Sequence, residues 1–174
     1  MTTEETKTEP TDSPNAENDS ILRMEGKKED DVNVSNLTLR DSKINGVRGA
    51  NGASFHLDNV SVENSGYHGV SVSGTKRSTM KNCNVSHSKY SGLLVQGSGL
   101  MTIDGKDTTI HHNCTNGDSD DYGLHTYDSS CSIHLASSLT IETISKNNGG
   151  GGNHGGDGTI AIVDNEGAII EIVQ

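Results

Sequence analysis
The chain has 174 residues, with 24 Asp+Glu against 13 Lys+Arg and a formal net charge of −11 with His neutral. Leu, Ile, Val and Phe make up 34 of the 174, with 21 Gly, 2 Pro and no Trp, a composition at the edge of disorder, so any fold must come from where the apolar residues sit. No apolar run approaches the roughly 18 residues of a membrane helix, and no basic patch could neutralise nucleic-acid phosphates, so neither a membrane nor a nucleic acid is an expected partner.

Residues 1–31 carry 10 acids, 4 bases and both prolines, Pro10 and Pro14. Ile21, Leu22 and Met24 are the sizeable apolar residues after Met1. So little apolar surface cannot offset the entropy of ordering, and the segment is expected to be a disordered acidic tail. It has no basic start, apolar middle and small-residue cleavage site, so no secretory signal is expected and the default location is cytoplasmic.

Residues 32–174 are expected to form one domain, and its body repeats. The segment Leu57-Asp58-Asn59-Val60-Ser61-Val62-Glu63-Asn64-Ser65-Gly66-Tyr67-His68-Gly69-Val70 is matched 23 residues later by Met80 through Leu93. It is matched 23 residues earlier by Val34 through Val47. The columns Asn36/Asn59/Asn82, Leu39/Val62/Val85, Ser42/Ser65/Ser88 and Gly46/Gly69/Gly92 keep their character. Apolar residues within a repeat come in alternating pairs, such as Val60/Val62 and Val70/Val72, separated by Asn, Ser and Gly. Each pair suits a short strand with alternate side chains inward. Several short strands and turns in 23 residues make one coil of a parallel β-solenoid. No Pro follows Pro14, as buried parallel strands require. Asn tolerates a left-handed backbone, so the Asn column is expected at a coil corner with its amides bonded coil to coil.

The motif Leu57-x-Asn59-Val60-x-Val62-x-Asn64-Ser65-Gly66-x-x-Gly69-Val70-x-Val72 resembles the repeat of right-handed parallel β-helix proteins of the pectate-lyase-like superfamily. The stretch Thr109–Ile162, with Ile110-His111-His112-Asn113-Cys114 and Ser145 through Gly152, is similar to right-handed β-helix domain proteins of unassigned function from algae and diatoms. The resemblance implies an all-β, right-handed parallel β-helix, with about five coils on the strand pattern. It implies many possible functions, because this architecture carries unrelated ones. Its lyases use Ca2+ with a basic residue that removes a sugar-ring proton. Its hydrolases use several aspartates on one strand face. Neither set is complete here, and Arg48 and Arg77 are expected to lie coils away from the acidic residues.

The repeat loses its period after Ile103. Extra residues enter around Asn116–Tyr122, and Asn147–Gly158 is a Gly-rich insertion with 7 Gly in 12 residues, expected as a mobile loop. The final apolar run, Ala168 to Val173, is expected as a strand of an incomplete coil. Insertions in solenoids often build the binding face. Asp118, Asp120 and Asp121 are therefore the candidate Ca2+ ligands, since Ca2+ takes several oxygens in flexible geometry. Asp120, Asp121 and His125 are the candidate acid/base groups, and a solvated polar loop is the plain alternative. Tyr67, Tyr90 and Tyr122 are expected in corresponding turns, either covering a coil edge or forming a sugar-stacking strip. His111, His112, Cys114, Cys131 and His134 could ligate zinc, although Cys83 and Cys131 sit in inward-facing columns.

Two classes of function follow. The first is a non-catalytic repeat module binding a glycan or protein partner through its sheet face and turn loops. The second is a polysaccharide lyase, hydrolase or epimerase, degenerate or truncated. Open coil ends also suggest end-to-end self-association.

Overall fold
A computed structural model describes residues 20–26, 31–74 and 78–174. The strands follow one another coil by coil. The first coil holds β1 (Leu22–Glu25) and β2 (Asp31–Arg40), and the second β3 (Val47–Ala50) and β4 (Ser54–Glu63). The third holds β5 (Val70–Ser73), β6 (Ser78–Lys81) and β7 (Asn84–Ser86). The fourth holds β8 (Leu93–Gln96), β9 (Leu100–Asp104) and β10 (Thr109–His111). The fifth holds β11 (Tyr122–Thr126), β12 (Ser132–Ala136), a one-turn helix α1 (Ile141–Ile144) and β13 (Ser145–Lys146). The sixth holds β14 (Gly152–Gly156) and β15 (Thr159–Val163), and β16 (Ile169–Ile172) closes the chain.

Strands β1, β3, β5, β8, β11 and β14 stack in parallel as one six-stranded face. The remaining strands form a second, bent sheet. Its first leg runs from the start of β2 and β4 through β6, β9, β12 and β15, and its second from the end of β4 through β7, β10 and β13. The bend lies at Asn36, Asn59 and Asn82, with φ of 57°, 55° and 49°. The Asn59 side-chain amide donates to Asn36 Oδ1 at 2.8 Å, so the corner column is bonded from coil to coil. In the fourth coil Gly105 takes this corner with φ 80°. A second left-handed corner, between this sheet and the six-stranded face, is built by Asp41, Asn64, His87, His112 and Asn147.

The core fills the space between the three faces. Val47, Val70, Leu93 and Leu124 line up in one column, and Leu57, Met80, Ile103 and Leu135 in another, all 0 or 1% exposed. Each such aliphatic side chain contributes roughly 1.5–3 kcal/mol through removal from water. The Gly46/Gly69/Gly92 column exists because the coil is tightest there. A Cβ on Gly69 would stand 2.3 Å from Val85 Cγ1 and 2.7 Å from the Gly92 carbonyl oxygen.

Four expectations are corrected. The solenoid has about six coils, not five, and the Gly-rich segment is not a loop but a rung of its own: β14 pairs with β11. Its glycines are needed there, since a Cβ on Gly155 would enter the Tyr122 ring. The expected tail of residues 1–31 is interrupted by β1, which pairs with β3 and buries Met24, so Leu22–Glu25 belong to the β-helix. Residues 1–19 and 27–30 lie outside the described residues. The last strand does not begin a further coil, because β16 turns back antiparallel on β15 and leaves Ile169, Ile170 and Ile172 exposed. Among the described residues, no helix is long and apolar enough to cross a membrane.

Candidate functional site
A cleft of about 440 Å³ lies on the six-stranded face. Its floor follows from strand register. Arg48, Ser71, Leu94 and His125 occupy successive rungs of one outward column on β3, β5, β8 and β11. Beside them runs a column of Asn45, His68, Ser91 and Tyr122, placed by the backbone bonds Gly46 to His68, Gly69 to Ser91 and Gly92 to Tyr122. In this second column each side chain accepts the amide of the residue one coil on. Asn45 Oδ1 takes the His68 N–H at 3.3 Å, His68 Nδ1 takes the Ser91 N–H at 3.1 Å, and Ser91 Oγ takes the Tyr122 N–H at 3.4 Å.

Ser91 is fully buried and central. Its hydroxyl donates to Asp121 Oδ1 at 2.9 Å and lies 3.0 Å from His125 Nδ1. The one hydroxyl proton is engaged with Asp121, so His125 must be the donor in the second bond. His125 therefore carries its proton on Nδ1 and leaves Nε2 as the lone-pair side, on a residue that lines the cleft. Asp121 is also held from its other oxygen by the Asn116 amide at 3.2 Å. Burial pushes the His125 pKa down, against the opposing pull of Asp121, Asp120 and Asp157. Burial lowers His68 to about 3, with His125 adding to the effect. Its Nδ1 must stay unprotonated to accept the Ser91 amide.

Aromatic rings form one wall. The Tyr67 and Tyr90 rings have centroids 4.3 Å apart, and Tyr127 lines the same cleft. Burial raises the Tyr67 pKa, with Tyr90, Asp121 and Tyr127 adding to it, so its phenol stays protonated at neutral pH. A second cleft of about 450 Å³ adjoins the first and shares Asp120, His125 and Tyr127 with it.

The sequence-predicted residues are thus partly gathered. Asp118, Asp120, Asp121 and His125 line one cleft with Tyr67 and Tyr90. Tyr122 does not continue the Tyr67/Tyr90 column. The Cys114 amide bonds to the Tyr90 carbonyl and takes that place, because the insertion before Tyr122 moves it one column along, where it packs over Gly151 and Gly155 and lines the second cleft. Asp121 turns inward to Ser91 and Asn116, and Asp118 accepts the Asp120 amide at 3.1 Å. Among the described residues no group of three or more His, Cys, Asp or Glu could hold a metal. That covers the suggested zinc set, in which Cys114 and Cys131 are buried and burial pushes the Cys114 thiol up to about 12.

Sequence reasoning misses His68, Ser91, Asn116 and Tyr127. Ser91 leaves a signal that could reveal it, since it precedes the Gly92 of a repeat column as His68 precedes Gly69. Arg48 lies three coils from His125, as the sequence reading places it, and the cleft is long enough that Arg48 and the acidic loop both line it. Arg77 lies outside the described residues.

Stacked parallel strands on three faces, with a polar and aromatic cleft on one of them, define a parallel β-solenoid with a surface cleft. The right-handed β-helix region family model matches residues 20–166, and the chain belongs to that family. Comparison with curated proteins and with solved structures gave no match.

Proposed function
We propose that this protein is a non-catalytic β-helix module that binds a saccharide in the cleft on the β3–β5–β8–β11 face. The observation that carries this reading is the Tyr67/Tyr90 ring pair beside a polar, concave floor. Flat rings offer dispersion contact to the C–H faces of a sugar. Asn45, Gln96 and Asp120 offer hydrogen-bond partners to its hydroxyls. A cleft with aromatic walls and a few polar groups is the usual form of a small-ligand site. Tyr67 and Tyr127 are 42% and 62% exposed, so both rings have free surface to give. The test is calorimetric titration with a panel of oligosaccharides, using Tyr67→Ala and Tyr90→Ala as controls. Binding by the wild type that both variants weaken supports the reading, and absence of binding across the panel removes it.

A second reading, acid/base chemistry on a bound polysaccharide, is favoured by the His125 proton arrangement. A fixed Nδ1–H leaves Nε2 available as a base, and Asp120 and His125 line both clefts. Ser91 is not a nucleophile in this reading, since it is fully buried with its hydroxyl engaged. Release of new reducing or unsaturated ends by the wild type, lost in His125→Gln, would favour it over simple binding.

A further inference from the structure
We propose that the ligand carries a single anionic group, seated against Arg48, followed by neutral sugar units that reach Asp120. This deepens, and rests on, the saccharide-binding reading. The starting observation is an orphan. Arg48 Nε is buried and has no hydrogen-bond partner among the described residues. Buried donors are almost always satisfied, and Arg48 also lines the cleft, so its guanidinium presents there a cation that an acceptor from outside the chain would complement. A carboxylate or a sulfate ester supplies that acceptor, and the planar guanidinium suits either in a paired, charge-assisted contact.

The second observation is the polarity of the cleft. Arg48 stands on β3, three rungs from His125 on β11. At the strand spacing this is about 14 Å along the solenoid axis. Near His125 the lining carries Asp118, Asp120 and Asp121. One end of the cleft is therefore cationic and the other is rich in carboxylate. A polyanionic chain filling it would place further negative charges against these aspartates, and like charges in a partly desolvated site weaken binding. Hydroxyl groups, which donate to carboxylates, meet no such penalty. The cleft is matched to one terminal anion and rejects a charge on every unit.

The experiment is isothermal titration of the full chain with four trisaccharide probes of equal length. These are a neutral one, one with a terminal glucuronate, one with a terminal sulfate ester, and a trigalacturonate. Wild-type protein is expected to bind a singly anionic probe at least about 10-fold more tightly than the neutral one, the scale of one charge-assisted hydrogen bond. The glucuronate and sulfate arms tell which anion fits better. The trigalacturonate is expected to bind more weakly than the better singly anionic probe, and Asp120→Asn to narrow that gap. Arg48→Gln, checked for native circular dichroism and melting, is expected to reduce the singly anionic probes to the neutral level. Equal binding of neutral and singly anionic probes overturns this proposal and leaves saccharide binding standing, as does tightest binding of the trigalacturonate. Binding of none of the four overturns both.

Discussion

Ser91 Oγ lies 3.0 Å from His125 Nδ1, and because the same hydroxyl gives its proton to Asp121, the bond runs from histidine to serine. Nitrogen-resolved NMR of the imidazole should therefore find neutral His125 as the Nδ1–H tautomer. Ser91→Ala removes the acceptor for His125 and a donor to Asp121 in a buried setting. That substitution is expected to cost about 1–3 kcal/mol and to release the tautomer preference. A variant with unchanged stability and an unchanged tautomer ratio would show that the chain of bonds is not formed.

His68 gives stability a pH dependence. Its folded pKa is about 3 against an ordinary 6.5, so below pH 6.5 the unfolded chain takes up a proton that the folded chain does not. Stability from this group is complete above pH 6.5 and is lost as pH falls from there toward 3. Its slope is up to about 1.4 kcal/mol per pH unit within that window. His111, His125 and His134 are shifted down too and act in the same direction. His68→Asn keeps an acceptor of the kind Asn45 provides one coil earlier, and should flatten the slope. Urea midpoints at pH 7, 6, 5 and 4 for both proteins measure it.

Gly69→Ala and Gly117→Ala separate crowding from backbone strain. A Cβ at Gly69 meets Val85 and the Gly92 carbonyl, whereas one at Gly117 meets nothing within 4 Å and faces only the strain of φ 76°. Gly69→Ala is expected to cost about 1–3 kcal/mol or more, by overpacking a coil that cannot widen without breaking its ladder. Gly117→Ala should cost about 1 kcal/mol, the scale of a left-handed residue that carries a side chain. Chemical denaturation of the two variants gives the comparison.

The Asn corner has the same two-part character. Asn59→Ala loses both the left-handed tolerance and the 2.8 Å bond to Asn36, while Asn59→Gly loses only the bond. Gly105 already occupies this corner in the fourth coil. The Ala variant is expected to be the less stable of the two by about 1 kcal/mol, read from melting temperatures.

How much of the fold is legible in the sequence follows from how a solenoid is built. Stacking at a fixed period puts residues 23 apart into direct contact, so Asn36 and Asn59, or Val62 and Val85, stand out as columns in the sequence alone. The same logic fails once the period drifts. Ile110 pairs with Val85 at a spacing of 25, Leu124 with Leu93 at 31 and Ser145 with Ile110 at 35. A fixed period carries the Tyr67/Tyr90 column to Asn113, whereas Cys114 takes that place, and the glycines of β14 resemble a loop rather than a rung. The site sits where this drift occurs. Ser91, Asp121 and His125 meet across a 31-residue coil, and their partnership depends on an insertion whose path no repeat predicts. That Arg48 shares the cleft is hard to read for a related reason: coils distant in sequence lie only a few strand spacings apart on one face.

Whether the face formed by β3, β5, β8 and β11 is a saccharide site is read directly by an NMR titration of the full chain with a neutral trisaccharide and one ending in glucuronate. Saturable shifts are expected to be confined to Tyr67, Tyr90, Tyr127, His125 and their strand neighbours, with Arg48 joining them for the glucuronate probe. Shifts clustered on the opposite sheet, or no shifts with either probe at millimolar concentration, would contradict a saccharide site on this face.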